Sequence, residues 1–542
     1  MEQKEFDLLR ESWVRVRLQD YRVEEVSLMD ALLYAHEYRG LAGELPTQDA
    51  AMLRLLLAVL HTVFSRVDVD GRDAPLENAE DALIRWNELY RLGRFPEAPV
   101  RDYLTRWEDR FWLFHPERPF WQVPEAKIGT EYTASKLNGE LSESSNKLRL
   151  FSSYAGEGKA GLSYAQAARW LLSVNGYDDT SAKPKGKGLP SVGAGWLGKL
   201  GYIQANGENL FETLMLNLTL LQDGTKPWGE NHPCWELEKP RSAERTEIEQ
   251  PDNPAQLLTL QSRRLLLKRE GETVTGFTLL GGDFFQRENA FSEQMTVWRD
   301  ADPAKTKKTG QTNYVPSRHD PAKQFWREFP AVFCEGEGTR KPGVVRWVES
   351  LQDDPECPLD RKRLIHFMIC GMKYGDKDFF VNDSFSDGLT FHAAMLDTMK
   401  KKWRTAVSTE IGKCEKTAFI MGRLAQELDL AAGDKNDTSA DAARAQFYFL
   451  IDRPFRQWLQ SIDPENNDVN EKADEWRDRL YRLAVEMGRN MVEEAGDAAF
   501  VGRVIENKKT EKKYRYTAPR AYNSFLYNLR QELFPKEQGG TA

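Results

Sequence analysis

The chain has 542 residues, of which 40% are hydrophobic and 29% charged, and its formal net charge is -9. At roughly 150 residues per domain, this length allows two to four domains, and the apolar content can bury a large core, which excludes fibrous and intrinsically disordered proteins. Net acidity argues against a nucleic-acid partner unless positive residues cluster locally.

The N-terminus and the cysteines indicate where the protein resides. The opening MEQKEFDLLRESWVRVRLQ has no apolar signal core, and no later run reaches the 18 apolar residues of a membrane span. We therefore expect a soluble, cytoplasmic protein with no membrane partner. The cysteines are widely spaced and never form C-x-x-C, which predicts reduced thiols rather than disulfides or a zinc knuckle: Cys234, Cys334, Cys357, Cys370 and Cys414.

The first predicted elements are a short strand pair around Trp13 to Arg17 and a buried helix from Ala50 to Phe64, where apolar residues are dense. Residues 68–80 follow as a polar turn. Three aspartates around Gly71 resemble a calcium loop, but the glycine stands fourth rather than sixth and the glutamate expected at position twelve is missing. The turn interpretation is favoured.

Residues from about 126 to 345 carry mixed signals. Helical periodicity is found from Tyr164 to Ser173 and from Asn209 to Leu221, whereas residues 257–267 and 272–280 alternate as strands do.

From about Thr390 the pattern changes to four long amphipathic segments, at 391–430, 440–461, 469–495 and 515–534. Segments of that length predict an antiparallel four-helix bundle. The predicted fold class is therefore α+β, with a large mixed N-terminal domain (1–388) followed by the C-terminal bundle (389–542).

Signatures of common enzymes are missing, since the sequence contains no GxxxxGK[ST], HExxH or GxSxG. His115 lies among aromatic residues and prolines, where a structural role is favoured over a catalytic one. A nuclease built on Asp283, Asp376 and Asp378 stays open as an alternative, although no paired carboxylate motif supports a metal site. We expect a protein that is not an enzyme and has neither a metal nor a cofactor.

A glycine- and lysine-rich stretch, Lys183 to Gly201, contains six glycines, four lysines and no acidic residue. Glycines let backbone amides approach a phosphate, and lysines release the counterions of a nucleic acid. The alternative is a solvated, flexible connector.

Three further clusters combine positive charge with polar or aromatic neighbours, and each alone is typical of a solvated surface. They are Lys305, Lys307 and Lys308; Lys400 to Lys402 with Arg404; and Lys508, Lys509, Lys512, Lys513, Arg515 and Arg520. Together they favour binding of a polyanion through its backbone.

The order of several motifs resembles CasA, the large-subunit family of the type I-E CRISPR surveillance complex Cascade. The resemblance runs nearly end to end and depends on FDLLRESWVRVR, RPFWQ, GWLGKLGYIQANGENLFETLMLNL, LLTLQSRRLLL, ARAQFYFLIDRPFRQWL and APRAYNSFLYNLRQEL. It implies a non-catalytic subunit that recognises a protospacer-adjacent motif (PAM) in double-stranded DNA, helps open the duplex and presents it to a separate helicase-nuclease. The implied partners are the other Cascade subunits with bound crRNA, the target DNA and the recruited helicase-nuclease. A purely structural scaffold subunit remains the alternative.

The resemblance also implies a DNA-facing glycine loop, a wedge hairpin at CGMKYGDKDF and a minor-groove lysine, for which Lys268, Lys307 and Lys308 are candidates. At the hairpin tip this sequence departs from the family pattern, because Asp376 and Lys377 replace an Asn-Gln pair and Asp376 would repel phosphate. The predicted DNA-binding residues are Lys185, Gly186, Lys187, Gly188, Lys199, Asp376, Lys377, Lys307, Lys308, Lys512, Lys513 and Arg515.

Overall fold

A computed structural model describes residues 4–143, 148, 152, 154–179, 189–336, 338–434, 438–506 and 513–535. It divides into two compact units, the first comprising Met1–Asp360 with Ile365–Leu389 and the second Arg361–Leu364 with Thr390–Ala542. Helices and strands both occur throughout the first unit, so the predicted mixed α+β class is confirmed. No helix of the described residues is long and apolar enough to cross a lipid bilayer.

The described α-helices are α1 Leu28–Leu33, α2 Pro46–Phe64, α3 Ala79–Leu92, α4 Glu97–Arg106, α5 Ala134–Leu137, α6 Glu157–Ala160, α7 Tyr164–Tyr177, α8 Leu210–Asn217, α9 Pro254–Leu258, α10 Pro303–Thr309, α11 Phe329–Phe333, α12 Gly343–Asp353, α13 Lys401–Ala432, α14 Ser439–Gln460, α15 Val469–Glu494, α16 Gly496–Val501 and α17 Ala518–Leu533.

The described strands are β1 Glu5–Asp7, β2 Val14–Arg17, β3 Val23–Val26, β4 Gly40–Leu41, β5 Trp112–Phe114, β6 Thr130–Thr133, β7 Tyr202–Asn206, β8 Leu221–Gln222, β9 Lys226–Pro227, β10 Arg263–Glu270, β11 Thr273–Gly281, β12 Trp298–Asp300, β13 Tyr314–Pro316, β14 Thr339–Arg340, β15 Leu364–Tyr374, β16 Val381–His392, β17 Arg503–Glu506 and β18 Lys513–Tyr516.

Small antiparallel sheets, rather than one large sheet, organise the first unit. Three-stranded sheets have the orders β3-β2-β4, β10-β11-β6, β13-β12-β14 and β16-β15-β7. The strand pair predicted around Trp13 to Arg17 is confirmed as β2 and β3, in which Val14 lies opposite Val26.

Helix α2 forms the centre of the first unit. Every residue from Ala50 to Phe64 is buried, as the density of apolar residues predicts. One continuous hydrophobic core surrounds it and contains fully or nearly fully buried tryptophans from distant parts of the chain, including Trp13, Trp86 and Trp170. The polar turn after α2 is also confirmed, because the Asp68 carboxylate accepts hydrogen bonds from the amides of Asp70 and Arg72.

A buried ion pair connects α2 to a distant segment of the first unit. Both terminal guanidinium nitrogens of Arg54 donate to the Glu293 carboxylate, at 2.8 and 2.9 Å. Glu293 also accepts the indole N–H of Trp196 at 2.7 Å and the amide of Met295 at 3.1 Å. Burial of two charges is tolerated here because they neutralise each other and both oxygens of the Glu293 carboxylate accept hydrogen bonds.

Two helices in the first unit have ends that differ from the predicted ones. Helix α7 continues past Ser173 to Tyr177 and begins with a capping box between Ser163 and Gln166. Helix α8 ends at Asn217 rather than at Leu221. The Asn217 side chain pairs with both backbone groups of Ala205, and this contact with β7 fixes the chain where it leaves the helix.

Strand pairing also overrides helical periodicity at two places near the second unit. The helix predicted from residue 391 begins only at Lys401, because residues up to His392 extend β16 and short 3₁₀ turns follow. The helix predicted from residue 515 begins at Ala518, after Thr517 caps it, because Arg515 belongs to β18 and lies opposite Val504. Non-local partners decided both boundaries.

The second unit contains the four long helices α13, α14, α15 and α17, and α13 contacts the other three. Buried residues on α13 recur every three or four positions, for example Trp403, Val407 and Ile411. Phe455, Trp458 and Trp476 form an aromatic cluster with ring centroids 5.0–5.5 Å apart. The antiparallel-bundle topology itself stays a prediction.

Candidate nucleic-acid interface

A basic cleft in the first unit is lined in part by the C-terminal half of the glycine- and lysine-rich stretch. Its cavity volume is about 760 Å³, and Pro190 to Gly193 form one wall. We define the basic cleft by its positively charged lining residues, which are Lys199, Arg245, Arg287, Arg299 and Arg318. A smaller cavity of about 50 Å³ adjoins it, shares Lys199, Arg245 and Arg287, and reaches the buried Arg263.

Most of these cations lack a carboxylate partner. In the described residues Arg245, Arg287 and Arg299 have no ion pair within 4 Å, and Arg245 instead lies 4.1 Å over the ring of Phe284 and donates to the carbonyls of Pro190 and Ser191. Glu288 and Asp378 are the acidic residues on the cleft wall. The cleft therefore has an excess of positive charge, which suits a polyanion.

The buried Arg263 side chain holds the wall of the basic cleft in place through hydrogen bonds. Its guanidinium donates to the Asp178 carboxylate at 2.7 Å and to the carbonyls of Asp178, Asp179 and Gly193 at 3.1, 3.2 and 2.7 Å. The buried Lys136 ammonium lies 2.7 Å from Asp179. Arg263 thus joins the two described ends that flank residues 180–188, and it anchors both at the basic cleft.

Lys199 lies at the end of a 3₁₀ turn and is surrounded by other cations. Burial, together with the positive charges of Arg263, Arg287 and Arg245, lowers the pKa of Lys199 from 10.5 to about 8. A lysine with this pKa loses part of its charge at mildly alkaline pH unless an anion binds beside it.

We expect nucleic-acid affinity to depend on pH through Lys199. A bound phosphate favours the ammonium form and returns its pKa toward 10.5, so affinity is complete below pH 8 and falls above it, roughly tenfold between pH 7 and pH 9. Binding titrations at constant ionic strength would show this decrease. In Lys199→Met we expect overall affinity to fall and this decrease with pH to disappear. If the Lys199→Met variant keeps the wild-type pH profile, Lys199 is not part of the interface.

The hairpin of β15 and β16 contributes its tip to the same cleft. Arg318 forms two hydrogen bonds with Asp378, at 2.7 and 3.1 Å, donates to the Gly198 carbonyl at 2.6 Å and lies 4.9 Å from the Tyr374 ring centroid. Burial opposes ionisation of Asp378, but the hydrogen bonds and charge of Arg318 hold its pKa below the usual value. Arg318 therefore fixes the hairpin tip to the cleft wall.

The tip itself has a strained backbone. Lys377, Asp378 and Phe380 all have positive φ angles, of 53°, 62° and 58°, and each such residue costs on the order of 1–3 kcal/mol. Asp376 and Lys377 are exposed at the turn, and Phe379 is 45% exposed. The predicted hairpin is thus present, and a cation and an aromatic ring protrude from it.

The structure places the other predicted DNA-binding residues in several locations. Lys185, Gly186, Lys187, Gly188 and Lys512 lie outside the described residues. Lys307 and Lys308 are exposed on α10 and do not line the basic cleft. Lys513 and Arg515 are exposed on β18 of the second unit.

Two further candidates are occupied by local contacts. Lys268 forms an exposed ion pair with Glu131. Nδ1 of His115 accepts hydrogen bonds from the amides of Glu117 and Arg118, which is a structural role.

Two of the three carboxylates considered for a nuclease site form separate contacts with arginines, whereas Asp376 is exposed at the hairpin tip. Asp283 pairs with Arg264 and with Arg241, and Asp378 pairs with Arg318. Within the described ranges no group of three or more histidine, cysteine or acidic side chains could hold a metal ion.

Sequence reasoning missed four of the five cations of the basic cleft. Arg245, Arg287, Arg299 and Arg318 are isolated in the sequence, whereas the predicted sites were runs of charge. Arg299 lies on β12 and Arg318 follows β13, so strand pairing brings them together. No local sequence signal marks these residues.

Comparison with known proteins decides the family. Residues 7–487 match the sequence profile of CRISPR-associated protein Cse1. The chain belongs to the Cse1 family. It is also 32% identical, over 357 residues, to the CRISPR-associated protein CasA/Cse1 of Thermus thermophilus; the match spans 65% of this chain and 65% of the length of that relative. The resemblance inferred from the motif order is therefore confirmed.

Solved Cse1 structures share the fold along almost the whole chain. Thermobifida fusca Cse1 is 28% identical with a TM-score of 0.82, and 98% of each chain is covered. Cse1 from Acidimicrobium ferrooxidans is 26% identical with a TM-score of 0.76, covering 98% of this chain and all of that one. A chain of a CRISPR RNA-guided surveillance complex has the same fold, at 16% identity and a TM-score of 0.69.

Proposed function

We propose that this Cse1 chain is the non-catalytic large subunit of a crRNA-guided antiviral surveillance complex. In this role it recognises a PAM in double-stranded DNA, helps open the duplex and presents the target to a separate helicase-nuclease. Pairing between guide and target reads the long sequence, so the protein needs only a short-motif site and backbone contacts. Family membership and the fold shared with a surveillance-complex chain support the assignment.

The observation that carries the proposal is the meeting of three features at the basic cleft. Arginines without a carboxylate partner in the described residues line it, residues 190–193 of the glycine- and lysine-rich stretch form one wall, and Arg318 fixes the hairpin tip to another. Phosphates would bind the arginines, while Lys377 and Phe379 at the tip are placed to enter or flank the duplex. A wedge between base steps costs a few kcal/mol of unstacking, which backbone contacts offset.

The helices of the second unit complete the proposed role. We infer that α13, α14, α15 and α17 form the predicted antiparallel bundle and contact neighbouring subunits. The exposed side chains of Lys513 and Arg515 would contact a displaced DNA strand or a partner. A purely structural scaffold would use these contacts alone. The nuclease alternative is disfavoured because arginines occupy the carboxylates of Asp283 and Asp378.

A binding experiment distinguishes PAM recognition from a purely structural scaffold role. The guide-loaded complex, assembled with and without this chain, is titrated against matched targets that carry a randomised flanking library at fixed salt. We expect the chain to introduce a preference for particular flanking bases, and Lys377→Ala to weaken it. An equal gain in affinity across the library would instead assign a scaffold or clamp and would contradict PAM recognition.

A further inference from the structure

A second cluster of positive side chains lies in the first unit, outside the basic cleft. It surrounds a cavity of about 50 Å³ between the RPFWQ motif and the loop after residue 236. We call it the arginine pocket and define it by Trp121 and the four positively charged residues that line it, which are Arg110, Arg118, Lys239 and Arg241. The cavity is larger than the roughly 10–15 Å³ that one water molecule needs.

The charges of the arginine pocket are largely uncompensated. Throughout the described part of the chain, Arg110, Arg118 and Lys239 have no carboxylate within 4 Å; Arg110 makes a long contact of 3.4 Å with the Leu237 carbonyl and lies 6.0 Å from the Trp107 ring centroid. Burial and the positive charge of Arg118 lower the pKa of Arg110. Like charges held together at this cost are typical of a site whose counter-charge is a ligand.

Trp121 provides a second, independent observation. Its ring lines the cavity and is 8% exposed, yet its indole N–H has no hydrogen-bond acceptor in the described structure. A buried donor without an acceptor costs on the order of 1–3 kcal/mol. Its backbone is also in the left-handed region, with φ of 56°, which is strained for a bulky residue. A ligand that accepts hydrogen bonds would satisfy this donor.

The arginine pocket is connected to the basic cleft through one short segment. Arg241 lines the pocket and Arg245 lines the cleft, and four residues of chain span at most about 14 Å. Asp283 lies between the two sites, where it pairs with Arg241 at 3.0 Å and with Arg264 at 2.5 Å. Because one DNA strand rises about 3.4 Å per base, this distance of at most about 14 Å corresponds to roughly four base steps.

We propose that the arginine pocket binds a phosphate group. Its oxygens accept hydrogen bonds from the guanidinium groups, the Lys239 ammonium and the Trp121 indole. The phosphate is either free in solution or part of the backbone of the strand that occupies the basic cleft, and the second source rests on the proposed function. Neither source requires the pocket to read bases, because phosphate contacts carry no sequence information.

The test uses Arg118→Gln with Lys239→Gln in the full-length chain. Neither side chain has a folding partner in the described residues, so the double variant should stay folded; Arg94→Gln with Lys226→Gln removes two exposed cations elsewhere as a matched control. The first measurement is calorimetric titration with inorganic phosphate. We expect binding by the wild type and the control, and at least tenfold weaker binding by the Arg118/Lys239 variant.

The second measurement assembles each variant into the guide-loaded complex and records target affinity against salt. A slope lowered by about one per lost contact, with flanking-base preference retained, would identify a backbone phosphate. An unchanged slope with weakened inorganic-phosphate binding would identify a free phosphate. If neither measurement separates the variant from its control, the phosphate site is overturned. A wild-type complex that shows no flanking-base preference would refute the proposed function. The calorimetric test of phosphate binding in the arginine pocket would still be valid.

Discussion

Replacing Arg245, Arg287 and Arg299 together with glutamine is expected to weaken binding of target duplex by the complete complex about a hundredfold near 0.15 M salt. None of these arginines has a carboxylate partner in the described structure, so the free cleft loses no ion pair when their charges are removed. Each lost phosphate contact is worth about 1 kcal/mol, and three together give the hundredfold effect. The slope of affinity against salt should fall by about 2.7.

The matched control replaces three exposed cations outside the basic cleft, Arg94, Lys226 and Lys323, with glutamine. It changes the net charge by the same amount, so it measures the contribution of overall charge alone. We expect the control to lower affinity less than threefold. Equal losses in the two triple variants would mean that general electrostatic attraction, and not the cleft, accounts for binding.

Glu293→Ala is expected to lower the free energy of unfolding of the chain by about 3–5 kcal/mol. The substitution leaves the guanidinium of Arg54, 1% exposed, without its counter-charge, and it removes the acceptor of the Trp196 indole. Urea denaturation monitored by tryptophan fluorescence would record the change. Trp196 lies in the stretch that lines the cleft, so DNA binding should decrease together with stability.

The comparison for this variant is an exposed ion pair in the same unit. Glu131→Ala removes the partner of Lys268, and both side chains are more than 40% exposed. Water and salt screen such pairs, so the expected cost is below about 1 kcal/mol. A Glu293→Ala cost as small as that of Glu131→Ala would show that water or another group replaces the Arg54 partner.

Several parts of the fold follow from local sequence because their stabilising contacts are local. The apolar density of Ala50 to Phe64 predicts α2, and the Ser163 capping box fixes the start of α7. Spacing of three or four residues predicts the long helices of the second unit. The ends of these helices were less predictable, because β16 and β18 include residues whose sequence pattern predicts a helix. Non-local strand pairing competes with helix propensity at such boundaries.

By itself the sequence determined the mixed fold class, the main helices and, through the order of its motifs, the Cse1 family and the hairpin that this resemblance implies. Only the tertiary structure decided which charges act together. Arg245, Arg287, Arg299 and Arg318 are far apart in the chain, and packing brings them around Lys199. Electrostatic interaction depends on distance through space and on burial, neither of which sequence separation specifies. The lowered pKa of Lys199 and the Arg318–Asp378 contact at the hairpin tip follow from that packing.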